Sequence, residues 1–355
     1  MIRILQGILI TVCILLGIVL ISNVEKGIDV ISKEEVQVVL LPGGKLQSVV
    51  ESFPGAVIVD ESAGILKFPP ETLKAMSSQL NRHKQVQAVL PVVTTPSFDF
   101  KNYAEALKNQ ANSYLDGDFG AIGYFSRPQP VPISSSLDDM IKRSLSYLVP
   151  GLFLGIIFGF AAALIAVAKP KVGKVLDVGH GFLMSLPDFF VVVLLQFLAI
   201  AINKMAGSPV IIIMQFVKQT PFLIPMLAIA ILPAALVYGT LRIAFEREWD
   251  EGYIKTAYSK GLSRPRVIFA HIMRNTMEDF LTIIPRAVSV ALTSLVVVEV
   301  MAGIFGLGGY AVNKSIAYVT SLATTCAILA GFALIVQGLF AYLRSRVIVN
   351  TKEGA

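Results

Sequence analysis

Apolar residues occur in about six runs that are long enough to cross a bilayer. A hydrocarbon core about 30 Å thick needs roughly 20 apolar residues per helix. The runs of that length cover residues 4–22, 145–168, 178–202, 222–241, 281–303 and 322–343. The pattern therefore predicts an all-α polytopic membrane protein with about six transmembrane helices. The first run would also suit a signal peptide, but no small-x-small cleavage site follows before Glu25 and Lys26, so we expect a retained helix.

The long stretch between the first two runs predicts a separate folded module. Apolar and polar residues alternate at 36–41, 56–59 and 86–90, as in strands, and residues 69–82 predict a helix with a proline near its start. Residues 60–64 predict a turn, and the prolines at 128, 130 and 132 predict an extended linker. The expected organisation is a first helix at 1–22, a small α+β module with its linker at 23–140, a five-helix core at 141–345 containing a long loop at 242–280, and a tail at 346–355.

Composition agrees with a membrane protein and charge gives its orientation. Hydrophobic residues make up 55% of the chain and charged residues 15%, which excludes an ordinary soluble domain. Lys and Arg concentrate in alternate connections, whereas the other short connections hold only Lys204, Lys218 and Lys314. Because basic loops stay in the cytoplasm, we expect both termini inside, the 23–140 module outside and a plasma (inner) membrane location. Lys142 and Arg143 are exceptions to this rule. The net charge of +6 follows from topology, so no nucleic-acid partner is expected.

The loop at 242–280 predicts two short helices joined by a turn. Asp250 suits the N-cap of the first helix, and Gly261 suits the left-handed position that ends it. Ser263 and Pro265 suit the start of the second helix. Tyr253, Ala257 and Lys260 recur at three- and four-residue spacing, which predicts one face with Ala257 offering close approach to a partner. Charge and periodicity alone would equally suit a solvated connector.

The residues of this loop resemble a known family. The run from Tyr253 through Gly261 to Ser263, followed by His271-Ile-Met-Arg-Asn275, is similar to the cytoplasmic EAA-type loop of binding-protein-dependent ABC importer permeases, in particular the dipeptide, oligopeptide and nickel permease family. Asp118-Phe-Gly120, Pro187-Asp-Phe189 and Gly306-Leu-Gly-Gly309 agree, and the resemblance covers about two thirds of the chain. It departs from the family where Thr276-Met277-Glu278 replaces Leu-Pro and where an acidic residue is missing near Tyr318, which weakens any transfer of substrate class.

The resemblance implies a type I importer permease fold, with a coupling helix that sits in a cleft of an ATP-binding subunit. It implies two ATP-binding subunits, a second homologous permease in a heterodimer and an extracellular solute-binding protein. No cofactor is expected on this chain, since the partner subunits would bind and hydrolyse ATP with magnesium. Di- or oligopeptides are the favoured substrates, ahead of nickel chelates or other small solutes. The coupling residues would be Tyr253, Lys255, Thr256, Ala257, Lys260, Gly261, Leu262, Arg274 and Asn275.

Three ionisable residues fall inside predicted spans, where an unpaired charge is costly. Asp188 follows Pro187, which predicts a helix kink that turns a carboxylate towards a translocation pathway. Arg286 and Glu299 lie near opposite ends of their run, so both are expected to reach towards an interface. The glycine-rich segment 303–309 fits either a close-packed re-entrant turn or a flexible outer loop.

Other functional classes have less support in the sequence. No Gly-x-x-x-x-Gly-Lys-Ser/Thr loop is present to bind phosphates, and no His-Glu-x-x-His motif is present to bind zinc. The histidines, His83, His180 and His271, are scattered, so no metal site is expected. We therefore expect a transport subunit rather than an enzyme. The alternatives are a secondary transporter, which would also suit Pro187 and Asp188, and a membrane sensor or assembly protein that uses the 23–140 module.

Overall fold

The computed structural model describes residues 2–69, 73–216 and 219–347, and most of these residues are helical. The chain divides into two compact units. Val19–Asp116 forms one, and the described residues on either side of it form the other.

The smaller unit is an α+β fold, as the alternating segments predict. Its antiparallel sheet has the strand order β2-β3-β1-β4. The strands are β1 Ile28–Leu40, β2 Val57–Asp60, β3 Ile65–Lys67 and β4 Val86–Phe98, and the helices are α2 Val24–Gly27, α3 Leu46–Glu51, α4 Leu73–Leu80 and α5 Phe100–Leu115. Helix α4 lies inside the predicted helix 69–82, of which positions 70–72 fall outside the described residues. Residues such as Val49, Leu66 and Leu80 form its buried core.

The last turn of helix α1, Ile2–Ser22, belongs to this smaller unit. Tyr103 on α5 donates from its hydroxyl to the Leu20 carbonyl at 2.9 Å. The fully buried Asn23 donates from its amide to the Val19 carbonyl at 2.8 Å and also to Gln110 on α5. Tyr103 and Gln110 both lie on α5, so these bonds connect the end of α1 to that helix.

Five helices of the larger unit are long and apolar enough to cross a membrane. They are α6 Ser134–Ala168, α8 Asp188–Ala206, α9 Leu223–Trp249, α13 Met277–Met301 and α14 Leu322–Val347. Each overlaps one of the predicted runs. In α1, the part found to be an apolar helix among the described residues is Leu9–Ser22, which is shorter than a candidate span. The first predicted span therefore stays a prediction.

The third predicted span, 178–202, is wrong as a single helix. Helix α7, Pro170–Ser185, ends before Leu186, and α8 begins at Asp188, with Leu186 and Pro187 in extended conformation between them. Proline lacks a backbone N–H and disfavours helical geometry in the preceding residue. The expected kink is therefore a complete break, and Asp188 lies in the first turn of a new helix.

Glycines at four-residue spacing bring α6 close to α9. A Cβ atom on Gly151, Gly155 or Gly159 would lie 2.7, 2.6 or 2.4 Å from the carbonyl oxygens of Met226, Ala230 and Ala234, respectively. Small residues at such positions let two membrane helices approach until their backbones touch. Helix α6 precedes α7 in the chain and α9 follows α8, so this contact holds together the two helices on either side of that pair.

A second sheet joins distant parts of the larger unit. Its strands, β5 Ala121–Tyr124, β6 Val131–Pro132 and β7 Ile316–Val319, have the order β6-β5-β7. The Ala121 N–H donates to the Thr320 hydroxyl at 2.9 Å across 199 positions of sequence. The proline-rich segment is therefore partly a strand, and α6 begins directly after it at Ser134 rather than near residue 145.

Candidate functional site

The helical loop, residues 250–276, connects α9 to α13. It contains α10 Gly252–Ser259, α11 Arg264–Val267, a π-helical turn Ile268–Ile272 and α12 Met273–Asn275. The predicted pair of short helices is confirmed as α10 and α11. The predicted N-cap is wrong, because α9 continues to Trp249 and the Asp250 N–H bonds to Glu246 and Glu248 carbonyls at the end of that helix. Glu251, in extended conformation, is the residue that precedes α10.

Gly261 ends α10 as predicted. Its φ of +77° is in the left-handed region. Residues that have a side chain adopt this conformation only at a cost in free energy, whereas glycine does so readily. The Gly261 N–H donates to the Tyr258 carbonyl at 2.8 Å, and the Leu262 N–H donates to the Ala257 carbonyl at 3.2 Å. This pair of bonds is the Schellman motif, which closes a helix and redirects the chain. Leu262 then packs against the bundle core, fixing where the turn lies.

Helix α10 buries one face in the bundle and exposes the other. Ile254 and Ala257 are 2% and 5% exposed, and they share a core with buried residues of α6, α9 and α13. The expectation that Ala257 offers close approach to a partner is therefore wrong, since its methyl group faces the chain's own spans. Between Lys255 and the closing Gly261, the exposed residues are Lys255, Thr256, Tyr258, Ser259, Lys260 and Gly261.

Two of the predicted coupling residues hold the helical loop together. The Tyr253 hydroxyl donates to Glu248 Oε2 at 2.6 Å, and Asn275 Nδ2 donates to the same oxygen and to the Tyr253 hydroxyl, both at 3.0 Å. Partial burial and the bond to Glu248 raise the pKa of Tyr253 to about 12. The phenol therefore stays protonated and keeps donating at physiological pH. Arg274, its neighbour in the predicted Arg-Asn pair, is exposed.

Asn275→Leu is expected to loosen α10 without unfolding the bundle. The variant removes two hydrogen bonds of an exposed amide, which together contribute about 0.5–1.5 kcal/mol. Amide hydrogen exchange within α10 should accelerate about two- to tenfold. Arg274→Leu is the matched control, since Arg274 is exposed like Asn275 but takes no part in the hydrogen bonds to Glu248 and Tyr253. Equal exchange rates in both variants would contradict a bracing role for Asn275.

Trp249 and Arg264 form a second brace that the sequence did not predict. The Arg264 guanidinium lies 4.8 Å from the Trp249 ring centroid and donates to the Val167 carbonyl at 2.8 Å. The Trp249 ring also meets Tyr258 edge-on, at 6.2 Å between centroids. In the sequence, this contact is indicated by the position of the chain's one tryptophan, which lies directly before the loop.

A polar network joins α7 to α9. The Tyr238 hydroxyl donates to Asp177 at 2.5 Å, and Arg242 donates to both oxygens of the same carboxylate at 3.2 and 3.3 Å. Arg242 also pairs with Glu246 at 2.7 Å. The network fixes α7 beside the helix that carries the loop. Among the described residues, no group of three His, Cys, Asp or Glu side chains is placed to hold a metal ion.

Glu299 is buried in the protein, and the expectation that it reaches an interface is wrong. It is 0% exposed and accepts hydrogen bonds from the hydroxyls of Ser144 and Tyr147 on α6. Its second oxygen accepts from the N–H groups of Gly308 and Gly309 at 2.6 and 3.0 Å. Of the two alternatives for residues 303–309, the structure therefore has the close-packed turn.

Arg143 is one of the two basic residues that are exceptions to the rule that basic loops stay in the cytoplasm, and its contacts explain its position. Its guanidinium donates to the Phe305 carbonyl at 2.6 Å, and the neighbouring Ser144 hydroxyl accepts from the Leu307 N–H at 2.9 Å. Both residues of α6 therefore bind the backbone of the glycine-rich turn. Lys142 forms an exposed pair with Asp138 one helical turn away.

Comparison with known proteins gives the family. A family model described as the binding-protein-dependent transport system inner membrane component matches residues 151–351, more than half of the chain. The chain belongs to this family, and it is accordingly a multi-pass membrane component of a transport system.

Several curated relatives are permease proteins of dipeptide transport systems. The chain is 26% identical over 194 residues to the dipeptide transport system permease protein DppB of Bacillus subtilis, covering 51% of this chain and 59% of that protein. It is 28% identical over 204 residues to the protein of the same name from Lactococcus lactis, covering 56% and 63%. The chain thus matches about three fifths of the length of these relatives. Among solved structures, the methionine ABC transporter MetNI in an inward facing conformation aligns with a TM-score of 0.45 at 14% identity, over 61% of this chain and 98% of that one.

Proposed function

We propose that this chain is the permease subunit of an ATP-driven importer and that α10 transmits the closure of separate ATP-binding subunits to the spans. The observation that carries the proposal is that α10 buries one face in the bundle and exposes the other. Ile254 and Ala257 lock its inner face into the same core as α6, α9 and α13, whereas Lys255, Thr256 and Lys260 lie on its exposed side. A helix packed in this way moves with the spans as one body when a partner pushes on it.

The proposed assembly contains two ATP-binding subunits, a second homologous permease and an extracellular solute-binding protein. The chain lacks a phosphate-binding loop of its own, so ATP and magnesium belong to the partner subunits. The basic helical loop and both termini lie on the cytoplasmic side in this proposal, by the distribution of Lys and Arg. Movement of α10 then switches the spans between outward and inward access. Di- or oligopeptides are the proposed substrates, supported by the names of the curated relatives.

Gly261→Val is expected to uncouple ATP hydrolysis from uptake. A branched side chain is strained at a φ of +77°, by about 1–2 kcal/mol or more, so the closing turn of α10 would rearrange. No atom lies within 4 Å of a Cβ built at this position, so a steric clash does not explain the effect. We expect uptake by the reconstituted complex to fall at least tenfold while the ATP-binding subunits still copurify.

Gly261→Asn is the matched control for this experiment. Asparagine adopts left-handed backbone angles more readily than other residues with a side chain, so this variant should keep most of its uptake. Normal uptake by both variants would remove the coupling assignment. Uptake by the purified chain in liposomes without any ATP-binding subunit would instead favour a secondary transporter.

A further inference from the structure

Helix α13 turns one narrow face away from the rest of its unit. Thr282, Arg286, Thr293 and Val300 are exposed and Ser289 is half-buried, and they follow one another at intervals of three, four or seven residues. Such intervals place side chains on one line along a helix. The remaining faces carry buried apolar residues such as Ile284, Val288 and Leu292. Hydroxyls and a guanidinium thus occupy most of the exposed line of a candidate membrane span.

Arg286 lies about a third of the way along this helix, nearer the end that begins with Glu278 and Asp279. It follows Met277 by nine residues and precedes Met301 by fifteen, or about 14 and 22 Å along the axis. Within the described parts of the chain, Arg286 forms no ion pair. An unpaired arginine on the exposed side of a membrane span is costly against lipid and is expected to face water or a negative charge. The exposed line of α13 therefore indicates a wall of an aqueous path.

Asp188 supplies a charge of opposite sign at the neighbouring face of α13, where Ser294 is 3% exposed. It is half-buried in the first turn of α8, after the break at Pro187, and accepts a hydrogen bond from Ser294 of α13 at 3.1 Å. Ser294 follows Arg286 by eight residues, which is about 12 Å along the helix. This separation is too large for the two charges to neutralise each other through a direct ion pair. Their spacing instead suits a ligand that carries one charge at each end.

We propose that Arg286 and Asp188 bind the two ends of a zwitterionic peptide in the transport path. The guanidinium binds the C-terminal carboxylate through paired N–H groups, which match the geometry of a carboxylate. The Asp188 carboxylate binds the N-terminal ammonium. An extended peptide spans at most about 3.3–3.6 Å per residue, so two or three residues bridge the gap once the reach of the arginine side chain is included. This inference rests on the proposed import function and assigns residues to its substrate.

The test compares uptake of a tripeptide with uptake of its C-terminal amide by the reconstituted transporter. The solute-binding protein is the same in every measurement. Its own preference for one peptide form over the other therefore cancels when the uptake ratio of a variant is divided by that of the wild type. Arg286→Gln is expected to lower the ratio of free acid to amide uptake at least tenfold. Asp188→Asn is expected to lower the ratio of free amine to N-acetyl peptide in the same way.

Further variants separate recognition from damage to the fold. Arg286→Lys keeps the charge without the paired donors and should give an intermediate ratio. Arg127→Gln removes an arginine that lies over Tyr124, outside the candidate spans, and should change nothing. The second permease and the ATP-binding subunits should still copurify with Arg286→Gln and Asp188→Asn.

Three results would overturn the inference. Unchanged ratios in both variants would exclude contact with the peptide ends. Loss of the second permease from the purified Arg286→Gln complex would place the guanidinium against a carboxylate of that partner instead. If binding-protein-stimulated ATP hydrolysis occurs but the wild type imports no peptide, the substrate assignment fails while the coupling proposal stands. Absence of that hydrolysis in the wild type would count against the coupling proposal itself.

Discussion

Gly155→Leu is expected to prevent α6 and α9 from packing, with the largest loss of stability of any single substitution described here. A Cβ atom at this position would lie 2.6 Å from the Ala230 carbonyl oxygen, and the obstacle is backbone, which no side-chain rotation removes. Overpacking a core costs about 1–3 kcal/mol where side chains can adjust, and more where they cannot. The helices would have to separate along the line that includes Gly151 and Gly159.

The measurement is the thermal unfolding temperature and the yield of folded protein in detergent. Gly331→Leu is the matched control, because Gly331 also lies in a candidate span and no atom lies within 4 Å of a Cβ built there. We expect a marked loss of folded protein for Gly155→Leu and little change for Gly331→Leu. Equal stability of the two variants would show that α6 and α9 are not held at backbone contact.

Glu299→Leu is expected to release the glycine-rich turn from α6. The substitution leaves two hydroxyl donors and the N–H groups of Gly308 and Gly309 without their acceptor. Each buried donor left unpaired costs about 1–3 kcal/mol. A leucine has similar size, so the effect comes from the lost hydrogen bonds rather than from an empty cavity.

Thiol labelling at position 307 reports the release directly. Leu307 is 4% exposed, so a cysteine placed there should be protected in a chain otherwise lacking Cys13 and Cys326. Labelling should accelerate at least tenfold when Glu299→Leu is added. Glu278→Leu, which removes an exposed glutamate paired with Arg344, should leave the labelling rate unchanged. Protection that survives Glu299→Leu would refute the role of this carboxylate in holding the turn.

Features that depend on nearby residues were predictable from the sequence. Span length is set by the thickness of the bilayer, so the long apolar runs indicate α6, α9, α13 and α14. Gly261 ends α10 through a left-handed conformation and hydrogen bonds that span only residues 257–262, so the nearby sequence indicates it. The prediction failed for Asp250 because the polar end of α9 extends beyond its apolar run, and hydropathy does not show such an extension.

Features that depend on distant residues were not predictable in the same way. Whether Ala257 faces the bundle or a partner protein depends on where α6 and α13 lie. The sequence pattern shows only which residues of α10 share a face, not what that face contacts. The burial of Glu299 depends on two hydroxyls of α6 about 150 residues earlier. The close contact of α6 with α9 is a partial exception, since glycines at four-residue spacing are visible in the sequence and indicate close helix packing.

The sheet of β5, β6 and β7 has a consequence for how the chain is made. Strand β5 emerges from the ribosome long before β7, since Ala121 and Thr320 are 199 residues apart. Until the segment carrying β7 has been translated, the edge of β5 that later pairs with it has no partner, and an unpaired strand edge is prone to bind other chains. The edge of β5 is therefore open to incorrect pairing until most of the chain has been made, and a polypeptide truncated before residue 316 cannot complete the sheet.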